Sequence, residues 1–260
     1  VRANSPSSRK LRLRSGTALV IDQDDDRTLY AKNAQAALPI ASITKLMTAM
    51  VILDAELPMD AEVTIAKADK DRLRYSRSRL RVGETLTRAA LLRLALMASE
   101  NRAAAALART YPGGFSAFLQ AMNEKAGELG MPNSLFVDAT GLQGENTATA
   151  EDLAVMVKAA YNYDLIRELT TTPAYSLRTR QGRLLEFRNT NRLLRRSDWE
   201  IGLSKTGYIR ESGRCLVLQA RIAARQLIIV LLNAQGKYTG FGDANRIRKW
   251  LEAANQTASL

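Results

Sequence analysis

The 260-residue chain contains no histidine and a single cysteine, Cys215. Without histidine there is no Ser-His-Asp triad and no Cys-His pair, so nucleophilic chemistry must draw its proton acceptor from another side chain. One cysteine permits no intrachain disulfide and no thiolate metal cluster. It lies in the apolar stretch Cys215-Leu216-Val217-Leu218 and reads as a buried strand residue. No apolar run approaches the roughly 18 to 20 residues of a membrane helix. The longest, Leu227 to Leu232, reads as a buried strand. The start, Val1-Arg2-Ala3-Asn4-Ser5, lacks the apolar core of a signal peptide, so composition does not reveal the compartment. Aromatic residues are scarce, and neither dense basic cluster (Arg9 to Arg14, Arg72 to Arg81) shows the aromatic interleaving of a nucleic-acid reader. A nucleic-acid partner is therefore not expected.

Acidic residues are outnumbered, 26 against 38 Lys and Arg, for a net charge of +12. This balance favours polyanionic partners, although a solvated basic surface accounts for most of these residues. The apolar fraction of 46% suffices for a sizeable core. Residues 1–14 read as a loose basic tail, and 15–260 as a single domain. Gly16 to Ile21 and Thr28 to Ala31 predict a hairpin across the polar turn Asp22 to Asp26. A helix is expected over Ile43 to Leu53, opened by Ser42 after Pro39. Helical spacing recurs over Thr85 to Met97, Arg102 to Ala108, Phe115 to Leu129 and Ala150 to Tyr161. Strand-like runs return at Gly202 to Thr206, Arg214 to Ala220 and Gln226 to Leu232, before a closing helix at Gly242 to Ala254. The pattern predicts an α+β fold: an antiparallel sheet built from both chain ends, flanked by helices, with an inserted all-helical lobe at about 60–160. A cleft between lobe and sheet is the natural place for a site.

Three short motifs supply a chemistry that needs no histidine. They are Ser42-Ile43-Thr44-Lys45, Ser99-Glu100-Asn101 and Lys205-Thr206-Gly207. At a helix start, positions i and i+3 share a face, so Lys45 can reach the Ser42 hydroxyl. A lysine takes that proton only if burial or a nearby cation lowers its pKa. Ile43, Leu46 and Met47 offer burial, and Lys205 offers a cation. Ser99 and Asn101, two apart around a turn, can point into one cleft. The hydroxyl can relay a proton to a leaving amine, and the amide can hold a carbonyl or Lys45. Gly207 lets a substrate backbone lie along a strand edge. Lys205 and Thr206 can bind a carboxylate, and the N–H groups of Ser42 and Tyr208 can form an oxyanion hole. Each motif alone has an ordinary reading: a serine cap with a solvated lysine, a helix break, a strand-to-turn junction. Ser-x-x-Lys also occurs at Ser7 to Lys10, where nothing would bury the lysine. The three in this order are what point to a serine acyl-transfer site.

The segments Pro39 to Ala49, Leu94 to Ala104, Phe136-Val137-Asp138-Ala139-Thr140-Gly141-Leu142 and Lys205 to Tyr208 resemble those of the penicillin-recognising serine acyltransferases. The resemblance extends from about Gly16 to Trp250 and runs to the low-molecular-mass penicillin-binding proteins of the D-alanyl-D-alanine endopeptidase group. It implies a β-lactamase/transpeptidase-like fold, Ser42 as acylated nucleophile, Lys45 as its base, Ser99 and Asn101 as a second catalytic pair, and Lys205, Thr206 and Gly207 at the substrate. It implies no cofactor and no metal. It further implies a periplasmic enzyme that cuts peptidoglycan cross-links and is acylated by β-lactam antibiotics. A D-alanyl-D-alanine carboxypeptidase is the alternative. The second β-rich domain and amphipathic anchor of many carboxypeptidases are not expected after Leu260, nor is a transmembrane anchor. A class A β-lactamase needs a loop Glu with Asn four residues on; no Glu here has that spacing, Glu128 to Asn133 missing by one. A β-lactam sensor domain and a catalytically dead wall-binding scaffold complete the alternatives.

Overall fold

The computed structural model describes residues 11–258. In chain order the strands are β1 (Thr17–Asp22), β2 (Thr28–Lys32), β3 (Leu38–Pro39), β4 (Glu62–Thr64), β5 (Thr85–Thr87), β6 (Thr147–Ala148), β7 (Ala174–Arg178), β8 (Leu184–Arg188), β9 (Glu200–Ile209), β10 (Gly213–Ile222) and β11 (Arg225–Ala234). The α-helices are α1 (Lys45–Asp54), α2 (Arg88–Met97), α3 (Asn101–Arg109), α4 (Gly114–Glu128), α5 (Ala150–Tyr161), α6 (Asp164–Thr171) and α7 (Thr239–Ala258).

The main sheet has the order β2-β1-β11-β10-β9, antiparallel throughout, so the two chain ends meet at the β1–β11 pair. Its central strands are apolar at consecutive positions because both faces are covered. On one face Ala18, Val20, Leu216, Leu218, Ile229 and Leu231 meet Ala244, Ile247 and Leu251 of α7, spaced as one helical stripe. On the other, Leu19, Cys215, Val217, Ile228, Val230 and Leu232 join the larger core of the helices. Cys215 is buried, as expected, and burial pushes its thiol up to about 11.

Caps explain several helix starts. Thr87 Oγ1 accepts from Ala90 N at 3.2 Å, and Thr149 Oγ1 from Asp152 N at 3.0 Å. Thr85 to Thr87 is strand, however, because β5 pairs with β4 before α2 begins. The inserted lobe is therefore not all-helical. Nor does it extend to 160 as a separate layer: α5 packs on β1, β10 and β11 and covers the sheet face. The β7–β8 hairpin and α6, between the lobe and β9, are further elements without a sequence expectation.

Of the expected tail, residues 1–10 lie outside the described residues. Residues 11–14 are not loose. Leu13 is buried in the α7-side core, and the N–H groups of Arg14 and Ser15 donate to the buried Asp243 carboxylate. That charge needs donors, and the incoming chain supplies them.

Candidate active site

Ser42 lies in a 3-10 turn, Ala41–Thr44, that runs straight into α1 at Lys45. The sequence predicted a plain helix start. The turn arises because Ala41 adopts φ +48 and the Thr44 hydroxyl bonds back to the Ala41 carbonyl at 2.8 Å. α1 is surrounded by other helices, and every residue from Lys45 to Ile52 is buried. Lys45 is thereby carried into the core at 0% exposure.

Lys45 Nζ lies 2.9 Å from Ser42 Oγ, 2.8 Å from Asn101 Oδ1 and 2.6 Å from the Thr140 carbonyl oxygen. The amide oxygen and the carbonyl can only accept. A neutral amine has two N–H groups and one lone pair. With both N–H groups committed, the lone pair is left for the Ser42 hydroxyl. Burial lowers the Lys45 pKa to about 7, while the charges of Asp138 and Glu100 resist the fall. The shift thus comes from burial, with Lys45 at the balance point between base and ammonium near neutrality.

α2 ends at Met97, and the chain turns through Ser99 at φ +58 before α3 starts at Asn101. A non-glycine residue in this conformation is strained, and here it aims a hydroxyl into the cleft. Asn101 is oriented from both sides: Oδ1 accepts from Lys45, and Nδ2 donates to Ser76 Oγ at 2.9 Å.

Lys205, Thr206 and Gly207 sit in the middle of β9, not at a strand end, because the β9–β10 hairpin closes only at Ile209 and Gly213. Lys205 is buried, with Nζ 2.9 Å from Ser99 Oγ and 2.9 Å from the Thr206 carbonyl. Burial, and then repulsion from Lys45, depress its pKa well below the usual lysine range. Thr206 Oγ1 shares a 2.6 Å hydrogen bond with Thr190 Oγ1. A Cβ on Gly207 would stand 3.0 Å from both the Ile40 carbonyl oxygen and the Ser42 nitrogen, so only glycine lets β9 approach the Ser42 turn this closely. β9 is an edge strand, and Ile209 N donates to Ser212 Oγ inside the hairpin. Alternation along the strand then turns the Tyr208 N–H to the open edge, beside Ser42. Ser42, Ser99, Asn101, Thr206, Gly207 and Tyr208 all line one cleft of about 340 Å³. Among the described residues no group of three or more His, Cys, Asp and Glu side chains is placed to hold a metal ion.

The sequence reading assigned no part to the residues that hold this constellation. Asp138, buried, accepts from Thr140 N, Thr140 Oγ1, Gly141 N and Gln143 N, and so shapes the loop that presents the Thr140 carbonyl to Lys45. Asn146, 0% exposed, uses its full capacity: Oδ1 accepts from Val137 N and Asp138 N, and Nδ2 donates to Thr44 Oγ1 and the Asp138 carbonyl. It ties the loop to the turn that carries Ser42. The signal available in the sequence was the Asp-x-Thr-Gly string at Asp138 to Gly141, a turn-forming pattern.

A sheet backed by α7, a helical lobe facing it, and two buried lysines, Lys45 against Ser42 and Lys205 against Ser99, place this protein among the penicillin-recognising serine hydrolases. The family model described as D-alanyl-D-alanine carboxypeptidase, peptidase S11, matches residues 2–236. The chain belongs to that family. It is 48% identical to a D-alanyl-D-alanine endopeptidase of Pseudomonas aeruginosa, over 95% of this chain and 80% of that one. Among solved structures, the DD-transpeptidase of Streptomyces K15 superposes with a TM-score of 0.86 at 30% identity, covering 94% of this chain and 99% of that one. Penicillin-binding protein D2 of Listeria monocytogenes, in its cefotaxime-bound form, gives 0.81 at 28% identity over 93% and 98%.

Proposed function

We propose that this serine DD-peptidase is an endopeptidase that hydrolyses D-alanyl–meso-diaminopimelate cross-links of peptidoglycan through an acyl-enzyme on Ser42. The observation that carries the serine chemistry is the buried Lys45 amine, 2.9 Å from Ser42 Oγ with its N–H groups committed elsewhere. Neutral Lys45 takes the Ser42 proton as Oγ attacks the D-alanyl carbonyl. The developing oxyanion is received by the N–H groups of Ser42 and Tyr208. The leaving amine is protonated through the Ser99 hydroxyl, which Lys205 and the neighbouring Lys45 can recharge. Water then attacks the ester, releasing the donor peptide and restoring Ser42. Thr206 offers its hydroxyl to the carboxylate beside the scissile bond, and an anion bound there favours the protonated form of Lys205 behind it. A β-lactam amide follows the same first step, but its leaving nitrogen remains tethered and obstructs deacylation.

The endopeptidase preference is supported by the relative at 48% identity named for that activity. The family's own description favours terminal D-alanine removal as the second reading. Periplasmic residence follows from a cross-linked wall substrate. No helix among the described residues is long and apolar enough to cross a membrane.

Dimeric muropeptides incubated with the protein should yield monomers, while monomeric pentapeptide loses D-alanine much more slowly. Benzylpenicillin should leave one adduct by intact-protein mass spectrometry, absent from Ser42→Ala. Efficient trimming of pentapeptide with persistent dimers would make the enzyme a carboxypeptidase, and an adduct on the alanine variant would move the nucleophile elsewhere.

A further inference from the structure

The sheet-side end of the cleft carries a cluster that acyl transfer itself does not use. Arg192, Arg214 and Lys237 line it beside Tyr208 and Tyr238, and among the described residues no Asp or Glu lines the same cleft. The three cations arrive from separate places: a 3-10 turn before β9, strand β10, and the loop between β11 and α7. Each is set against an aromatic ring. Arg192 Cζ lies 4.9 Å and Lys237 Nζ 5.5 Å from the Tyr238 centroid, and Arg214 Cζ lies 4.4 Å from that of Tyr208. Among the described residues none of the three is ion-paired with a carboxylate. Arg74, which donates to the Leu142 carbonyl of the loop beside Lys45, is by contrast neutralised by Glu211 at 2.9 Å.

A guanidinium over a ring uses its face for the contact and keeps its in-plane N–H donors free for a planar anion. Stacking therefore positions these charges without neutralising them. Lys205, by contrast, is buried, with Nζ against Ser99 Oγ and the Thr206 carbonyl. The cleft thus holds more unspent positive charge at its surface than one terminal carboxylate requires.

We propose that Arg192, Lys237 and Arg214 form a leaving-side subsite for a peptide that bears two or more carboxylates. The inference rests on the endopeptidase reading and gives it a structural basis. A departing D-alanine has a single carboxylate, placed next to the scissile amide. The departing stem of a cross-link carries further carboxylates along its length, beyond the reach of Thr206. Arg192 and Lys237, flanking one ring, take such a second carboxylate, and Arg214 on Tyr208 bridges towards the first. The cluster selects substrates by charge count on the leaving side.

The test compares the wild type with Arg192→Glu/Lys237→Glu. The readout is kcat/KM for dimeric muropeptide divided by the rate constant for Ser42 acylation by benzylpenicillin, which corrects for any general damage to the site. This ratio should fall about tenfold, through KM, as two surface ion pairs are lost and two repulsions gained. In the wild type the same ratio should fall as salt rises. An unchanged ratio overturns the proposal. A second measurement needs no turnover: protection of Ser42 from labelled penicillin by the monomeric tetrapeptide, which carries the leaving-side carboxylates. The double variant should need several-fold more tetrapeptide for equal protection, and equal requirement overturns the subsite. If wild-type protein leaves dimers intact, the endopeptidase reading fails, and the protection assay still decides the subsite.

Discussion

Lys45 couples catalysis and stability to the same proton, and the two should respond to pH with linked but distinct signatures. With a pKa of about 7 in the folded protein, roughly a tenth of the amine is free base at pH 6, about half at pH 7 and about nine-tenths at pH 8. Acylation of Ser42 by penicillin should therefore rise about tenfold from pH 6 to a plateau above pH 8. Stability follows from the shift itself, from 10.5 to about 7. In this window the unfolded chain holds the proton that the folded protein has released, so folding is penalised by about 1.4 kcal/mol per pH unit as pH falls. The penalty is absent above the unfolded pKa and complete below the folded one. Lys45→Met has no such group. Relative to that variant, wild-type stability should increase by about 2 kcal/mol between pH 7 and pH 9. Lys205 feels the Lys45 charge, and its relief in the variant acts in the same direction. Urea unfolding of both proteins at the two pH values measures the difference. A constant difference, together with acylation flat from pH 6 to 8, would refute the reading of Lys45 as a base poised by burial.

Two glycines and one asparagine supply sharper structural tests. Gly141 has φ +77, and a methyl there would overlap the Ala41 carbonyl, so Gly141→Ala should cost about 2–4 kcal/mol and slow Ser42 acylation at least tenfold. Gly182, at φ +80 with open space around it, is the control: Gly182→Ala should cost about 1 kcal/mol and leave acylation at the wild-type rate. Urea midpoints and stopped-flow acylation separate the two effects. Asn146→Ala strands the N–H groups of Val137 and Asp138 and removes the tie to Thr44, for an expected loss of about 2–4 kcal/mol; a loss under 1 kcal/mol in urea would show that the loop is held by Asp138 alone.

The sequence by itself determined the kind of chemistry and the outline of the fold. The absence of histidine left serine and lysine, and the order of Ser42, Lys45, Ser99, Asn101 and Lys205 marked where they lie. Continuous apolar runs at both ends of the chain foretold a sheet built from both ends, since a strand covered on both faces has no polar face to display; the structure joins them at β1 and β11. Helical periodicity located α3, α4 and α5 to within a residue or two. The β7–β8 hairpin was not legible, because each strand is only five residues long and every second side chain is exposed, leaving too short an apolar pattern to mark it. Only the tertiary structure decided the protonation chemistry. Lys45 is a base because α1 is enclosed by other helices, and because Asn101 and Thr140, 56 and 95 residues away, claim its two N–H groups. Lys205 faces Ser99 because β9 continues past Gly207 as the sheet edge against the Ser42 turn. The three cations at the end of the cleft read along the chain as ordinary surface charge. Spacing shows neighbours on one element; burial, hydrogen-bond capacity and the meeting of distant charges depend on what the other elements place beside them.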